Sequence, residues 1–316
     1  MRALNPDVAA LMRAAEAAGV PTLGSLPPDE ARRSYSAGRR ALQAAFDPVA
    51  SREDVTIQGP GGSLALRIFR GAAHEQNLPC FLFLHGGGWV LGDLETHEGI
   101  CRRIAATANC CVLAVDYRLA PEHPFPAALE DGAATLRWAV AHAESLGIDA
   151  KRIAVGGDSA GGNLAAVIAL MGRDGSVPRC MYQVLFYPAV DLTMSGDSYE
   201  RVTEGVPLTA DAMRYFIGHY APSKADRADW RASPLRAASL EGAPPALVLT
   251  CGHDPLCSEG QLYAARLERE GVPVTLLHLG DQAHGILNMG KAIGAVSGVL
   301  DFAAATLREA WRNPSF

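Results

Sequence analysis

Five residues near the middle of the chain, Gly157-Asp158-Ser159-Ala160-Gly161, constrain its fold more than any other segment. They follow the apolar run Ile153-Ala154-Val155 and open an apolar helical stretch from Asn163 to Met171. This is the G-x-S-x-G pattern of a nucleophile elbow, in the strand-before, helix-after setting that the motif requires. A serine hydroxyl is a poor nucleophile unless it is exposed, aimed at a base and held beside hydrogen-bond donors. A tight strand-to-helix turn supplies all three. Gly157 and Gly161 flank the turn, where a Cβ would obstruct both the strained backbone and the close strand–helix approach. The helix behind Ser159 presents free N–H groups and its positive dipole end to an oxyanion. A chance match among small residues is the bland alternative, and the flanking strand and helix argue against it.

A second constellation, His85-Gly86-Gly87-Gly88-Trp89, follows the buried-strand composition of Cys80-Phe81-Leu82-Phe83-Leu84. Three glycines after a buried strand let the backbone bend sharply and turn N–H groups inward. Taken alone, such a loop is as well read as a simple connection. Its place upstream of the elbow is where an oxyanion loop belongs, with one donor from this loop and one from the residue after the nucleophile. The donors would be Gly87, Gly88 and Ala160.

From residue 80 onward, apolar strand-like runs alternate with helical stretches, which predicts a parallel sheet with helices on both faces. No repeat, low-complexity tract or linker divides the 316 residues. The first fifty residues read as two helices, from about Pro6 to Ala18 and from near Pro28-Asp29-Glu30. A hairpin follows, with strands at 54–57 and 64–69 across Gly59-Pro60-Gly61-Gly62, and a helix spans 127–146, ended by Gly147. The formal charge of −6 argues against a nucleic-acid partner, and the arginine pairs Arg32-Arg33, Arg39-Arg40 and Arg102-Arg103 read as solvated helix faces. The longest apolar run, near 164–171, is too short for a membrane span, and residues 1–20 read as an amphipathic helix, not a signal peptide. Seven cysteines without a C-x-x-C suggest reduced thiols and a cytoplasmic protein. No cluster has metal-ligand spacing, so neither a metal nor a cofactor is expected.

HGGGW at 85–89, DYRLAPEHPFPAALED at 116–131 and GDSAGGNLA at 157–165 together resemble the bacterial hormone-sensitive-lipase family, in its GDSAG subgroup, of α/β-hydrolase carboxylesterases. Tyr187-Pro188, Asp254-Pro255-Leu256 and His284-Gly285 add to the resemblance, which covers about residues 50–310. It implies an α/β-hydrolase fold: a mostly parallel eight-stranded sheet flanked by helices, under a helical cap. The cap would combine residues 1–50 with an insert at about 193–230 of a catalytic domain spanning 51–316.

In such folds the triad runs serine, acid, histidine. Ala246 to Cys251 reads as a strand, with Asp254 three residues beyond; Val274 to Leu279 reads as the next, with His284 in the polar loop after it. Among the nine histidines, His278 alternates within that strand, His253 precedes the acid and His123 lies in a proline-rich loop. Asp281 and Glu259 are rival acids, the first read as a solvated turn residue and the second as opening the next helix. Where the family writes D-P-L-x-D-E-G, Ser258 replaces the second Asp, and it is expected to cap the following helix. Ile286 stands where Phe is common, which would alter packing near the pocket. Trp89, Leu208, Met213 and Phe216 are candidate pocket residues, and ordinary core packing explains the apolar set from 208 to 217 equally well.

The expected activity is hydrolysis of short-to-medium-chain carboxylic esters through an acyl-enzyme on Ser159; the acyl length comes from the resemblance. An amidase or deacetylase would use the same site. A non-catalytic small-molecule receptor of the same fold is the reading from another class, and His284 argues against it, because the plant gibberellin receptor, which resembles this family, has lost the catalytic histidine. Family members are often dimers, and no exposed stripe in the sequence decides whether this chain forms a homodimer.

Overall fold

The computed structural model describes residues 2–71 and 76–313; residues 1, 72–75 and 314–316 of the expected domain ranges lie outside the description. Eight strands form one sheet: β1 (Ser51–Gly59), β2 (Gly62–Arg70), β3 (Leu78–Leu84), β4 (Cys111–Val115), β5 (Ile148–Asp158), β6 (Tyr182–Phe186), β7 (Ala246–His253) and β8 (Val274–Ala283). Their order is β1-β2-β4-β3-β5-β6-β7-β8. The β1–β2 hairpin forms as its turn chemistry predicts, and β2 is antiparallel to both neighbours while every pairing from β4 to β8 is parallel. The central strands are buried on both faces, which is why they read as unbroken apolar runs.

The helices are α1 (Pro6–Ala17), α2 (Pro28–Leu42), α3 (Glu98–Ala108), α4 (Ala127–Ala141), α5 (Ala160–Arg173), α6 (Ser198–Arg201), α7 (Ala210–Tyr220), α8 (Lys224–Ala228), α9 (Cys257–Arg269) and α10 (Ala295–Arg312). Two apolar clusters, one on each face of the sheet, form the core, and α5 belongs to it along nearly its whole length. Its first turn sits against β3 so closely that a Cβ on Gly161 would overlap the Leu84 carbonyl oxygen. Helix α4 stops at Ala141, five residues short of the expected end; turns lead on to Gly147, which adopts φ +60°.

Arg33 and Arg40 are exposed as expected, whereas Arg32 and the Arg102-Arg103 pair are not simply solvated. Arg32 donates to the carbonyls of Val90 (2.9 Å) and Ala120 (2.8 Å) and grips Glu122 with two more bonds. Arg102 pairs with Glu98, and Arg103 with Asp47 and Asp301. A charge pattern along a helix shows which side chains are long and cationic, not whether a distant carbonyl or carboxylate waits for them.

All seven cysteines are free and buried. No helix among the described residues is long and apolar enough to cross a membrane. The segment before β1 meets the segment between β6 and β7: Tyr215 of α7 donates to the carbonyl of Leu26 (3.0 Å), just before α2.

Candidate active site

The sheet places three side chains at the ends of three parallel strands. Ser159 follows β5 directly, with φ +57° and ψ −117°, a backbone state that a non-glycine residue adopts only when its surroundings enforce it. Its N–H donates to the Phe186 carbonyl (2.8 Å), and α5 begins at the next residue, three earlier than the sequence pattern suggests. Asp254 follows β7 with no gap, because that strand runs on to His253. His284 follows β8 with no gap, because that strand runs on to Ala283. Both acid and base therefore sit on strand ends, not in free loops.

The distances join them into a relay. His284 Nε2 lies 2.8 Å from Ser159 Oγ, and His284 Nδ1 lies 2.7 Å from Asp254 Oδ2. The other carboxylate oxygen, Oδ1, accepts the Leu256 N–H at 2.8 Å, which fixes the plane of the carboxylate. Asp254 is fully buried, Ser159 is 8% exposed and His284 7%. Tyr187 packs its ring against the imidazole, 4.7 Å between centroids. With Nδ1–H donated to Asp254, Nε2 is free to accept the serine proton.

The rival acids lie elsewhere. Asp281 is within β8, not in a turn: its carbonyl accepts the Asn5 N–H (2.8 Å) and its carboxylate the Asn5 amide, so it ties down the start of α1. Glu259 does stand in the first turn of α9, but buried, with Oε1 accepting the N–H groups of Val190 (2.7 Å) and Asp191 (3.2 Å). Burial pushes its carboxyl up to about 8 against those two donors. Ser258 does not cap α9. The helix starts at Cys257, and the Ser258 hydroxyl instead bonds the Ser198 hydroxyl at 2.7 Å. His278 holds Thr250 (2.9 Å), and His253 meets the Arg2 carbonyl (2.9 Å), both away from the serine. Ile286 is wholly buried, in a short 3₁₀ turn just after His284.

The glycine loop arches beside the elbow. Gly87 and Gly88 take φ +126° and +62°. Their N–H groups, and that of Ala160, find no protein acceptor among the described residues. Gly88 faces the ring of Phe216 so closely that a Cβ there would clash with it. Trp89 is buried and stacks flat on Tyr220, 4.5 Å between rings. Leu208, Met213 and Phe216 are at most 3% exposed. Through Phe216, helix α7 thus closes onto the glycine loop, and all four of these side chains pack as core.

Three supports were not legible in sequence. His85 is stacked on Tyr117 (4.2 Å), whose hydroxyl donates to the His85 carbonyl (2.7 Å). Burial pushes His85 down to about 4, so it is neutral near pH 7. Asp158 accepts the Gly86 N–H, and His97 stands against Asp158. The GDSAG and HGGG matches contain two members of this group; His97 has no motif to mark it. A surface cleft of about 370 Å³ lined by Arg2, Arg201, Gly252, Cys257, Gln261, His278 and Gly280 lies on the outer side of β7 and β8, and no triad residue lines it. Among the described residues, no three His, Cys, Asp or Glu side chains are disposed to hold a metal ion.

Comparison with known proteins agrees with this geometry. A family model described as alpha/beta hydrolase fold matches residues 81–288. The carboxylic ester hydrolase LipN of Mycobacterium tuberculosis is 44% identical over 242 residues, 75% of this chain and 64% of that protein's own length. Ethyl acetate hydrolase of Pseudomonas putida is 38% identical over 300 residues, covering 92% of this chain and 94% of that one. In structure, the alpha/beta hydrolase LAE6 from the metagenome of Lake Arreo superposes with a TM-score of 0.94 at 38% identity, over 98% of this chain and 99% of the other.

Proposed function

This chain belongs to the alpha/beta hydrolase fold family and is a carboxylic ester hydrolase; from that premise we propose that it cleaves short-to-medium-chain esters through an acyl-enzyme on Ser159. The observation that carries the proposal is the unbroken relay from Asp254 through His284 to Ser159, with both links at 2.7–2.8 Å.

His284 takes the serine proton as Oγ attacks the ester carbonyl, and Asp254 holds the ring in the required tautomer and stabilises the imidazolium. The charge that develops on the carbonyl oxygen falls to the Gly87, Gly88 and Ala160 N–H groups, which have no competing protein acceptor among the described residues. One such donor is worth about 2.7–4 kcal/mol of barrier. His284 then returns its proton to the leaving alkoxide, giving the alcohol. Water, activated by the same imidazole, releases the acid and restores Ser159. No step calls for a metal or a cofactor.

Residues 1–50 and the insert at about 193–230 act as a cap that orients the acyl chain, with Leu208, Met213, Phe216 and Trp89 at the pocket wall. The contact of Phe216 with Gly88 and the bond from Tyr215 to Leu26 support that role. The outer edge of β8, which has no further strand partner among the described residues, and the half-exposed Leu276 and Leu262 support a homodimer formed at that edge. The buried free thiols support a cytoplasmic location.

Initial rates on p-nitrophenyl esters from acetate to palmitate, with matching anilides, test the substrate class. Rates should be highest at short to medium acyl length and low on anilides. An optimum at palmitate would overturn the acyl-length reading, and anilide rates above ester rates would make the enzyme an amidase. An organophosphonate should label Ser159 alone.

A further inference from the structure

The oxyanion hole is built from two segments, and only one of them is tied covalently to the nucleophile. Ala160 is the neighbour of Ser159. Gly87 and Gly88 belong to a separate loop after β3, and something must hold that loop in register with the elbow. The β3–β5 ladder does so as far as its last pair, Leu84 with Gly157. Beyond that pair the next link is a side chain: Asp158 Oδ1 accepts the Gly86 N–H at 2.8 Å. The fit is tight, since a Cβ on Gly86 would run into the Asp158 carboxylate.

A buried carboxylate with one backbone donor is under-satisfied, because its two oxygens can accept about four bonds. Asp158 is 3% exposed and His97, just before α3, is 2% exposed. His97 Nε2 lies 3.3 Å from the same Oδ1. His97 Nδ1 lies 2.9 Å from the Thr96 hydroxyl, whose single hydrogen goes to Nδ1 when Nε2 is the protonated nitrogen and to the Asp93 carbonyl, also 2.9 Å away, when it is not. A carboxylate only accepts, so Nε2 is the nitrogen that carries hydrogen. Asn288 lies beside the same nitrogen and donates from its amide to the Tyr35 hydroxyl of α2 at 3.4 Å.

The structure assigns His97 to this enzyme as a positioning residue: its Nε2–H fixes the Asp158 carboxylate, which grips Gly86 and so sets Gly87 and Gly88 in register with Ser159. This inference rests on the esterase reading above. Burial alone would raise the Asp158 carboxyl; the charge and hydrogen bond of His97, with the Gly86 N–H, hold it below the ordinary carboxylate range, in keeping with the clamp.

The test compares wild type with His97→Phe and His97→Gln, since glutamine places an N–H near the position of Nε2 and phenylalanine places none. For each, kcat and KM are measured on a small ester. Affinity is measured for a trifluoromethyl ketone, whose serine adduct carries an oxyanion, and for a non-adduct-forming ester analogue. Unfolding temperature and phosphonate labelling report the fold and the serine. The clamp predicts for His97→Phe a fall in kcat of about 10²-fold, as for loss of one oxyanion donor. KM and ester-analogue affinity should stay near wild type, and trifluoromethyl-ketone affinity should fall in parallel with kcat. His97→Gln should recover most of both losses. A folded, phosphonate-reactive His97→Phe with wild-type kcat overturns the assignment, as does a kcat loss with unchanged ketone affinity or a Gln variant no better than Phe. Should His97→Phe not fold, ¹⁵N NMR of the wild-type imidazole decides: a protonated Nε2 supports the clamp and a bare one sinks it. A wild type that neither hydrolyses esters nor prefers the trifluoromethyl ketone would instead sink the esterase reading itself.

Discussion

The triad and the N-terminal helices are held largely by different kinds of bond. Ser159, Asp254 and His284 each follow a strand end, so backbone ladders running the length of the sheet fix their separation. The N-terminal helices have only two backbone ties, Asn5 N–H to the Asp281 carbonyl (2.8 Å) and Lys291 N–H to the Leu42 carbonyl (2.9 Å), among the described residues; the rest are scattered side chains: Arg32 on the Val90 and Ala120 carbonyls, Ser36 on Asp93 (3.0 Å), Gln43 on the Glu95 carbonyl (2.9 Å), and Asp7 accepting the Gly294 N–H (3.1 Å). Ladders are cooperative and stiff, whereas single side-chain bonds contribute about 0.5–1.5 kcal/mol each. The triad thus rests on the sheet's ladders, and on the cap reading proposed above the enclosure rests largely on single bonds.

The largest expected effect breaks the rigid half at its reacting atom. Ser159→Ala should lower kcat by about 10⁶-fold, leaving only oxyanion-hole and binding catalysis, with unfolding temperature near wild type because little packing is lost. Steady-state rates on material free of contaminating esterase check this, and near-wild-type turnover would end the acyl-enzyme reading.

Next in size is the choice between two acids on neighbouring strands. Asp254→Asn should cost on the order of 10⁴-fold in kcat at neutral pH, since the amide favours the wrong imidazole tautomer. Asp281→Asn should leave kcat almost unchanged, because Asp281 serves Asn5 and α1. Measuring both on one ester decides the acid, and a reversal of the two losses would reassign it.

Why the sequence marks one half so much better follows from the same contrast. Strand ends are announced by apolar runs, and the triad residues sit just past three of them. The runs misled only about where strands stop. Gly280-Asp281-Gln282 has loop composition, yet β8 continues through it, and after an irregularity the ladder closes His253 against Ala283. Ser258 looked like a cap because sequence does not reveal Ser198, sixty positions away, as its partner. Arg32 and His97 act through long-range bonds to groups far away in sequence, and such bonds leave no period. The glycine loop was legible as a loop, but the carboxylate that anchors it was not, since Asp158 is simply the variable position of G-x-S-x-G.

Arg32→Ala tests the side-chain-held half. The exposed pairing with Glu122 is worth little, but two buried-side carbonyls would lose their donor, so about 1–3 kcal/mol of stability should go. Val90 lies two residues beyond Gly88, so KM should rise and acyl-length selectivity should broaden while kcat on the smallest ester changes least. Arg32→Lys should not restore the wild type, because a single ammonium cannot reach both carbonyls and Glu122 together. Loss of kcat without change in KM would place α2 in the chemistry instead of the enclosure.

The smallest effect on activity, and the most specific in pH, is expected at Glu259, which joins the halves. It stands on the helix after Asp254 and holds the N–H groups of Val190 and Asp191, where the chain leaves the sheet for the insert. Its carboxyl is pushed up to about 8 by burial, from an ordinary value of 4.5. Between those values the unfolded chain has lost this proton and the folded chain keeps it, so the folded state binds more protons and stability falls as pH rises. The contribution is complete below about 4.5 and gone above about 8. Glutamine keeps the acceptor for both N–H groups and has no proton to lose. Glu259→Gln should therefore gain on wild type as pH rises, by about 3–5 kcal/mol between pH 5 and 8.5. Its kcat should be unchanged, because the side chain touches no triad residue. Urea unfolding of both proteins at the two pH values reads the difference directly. A stability gap independent of pH would show that Glu259 is already ionised in the folded enzyme, held by Val190 and Asp191 as an anion and not as an acid.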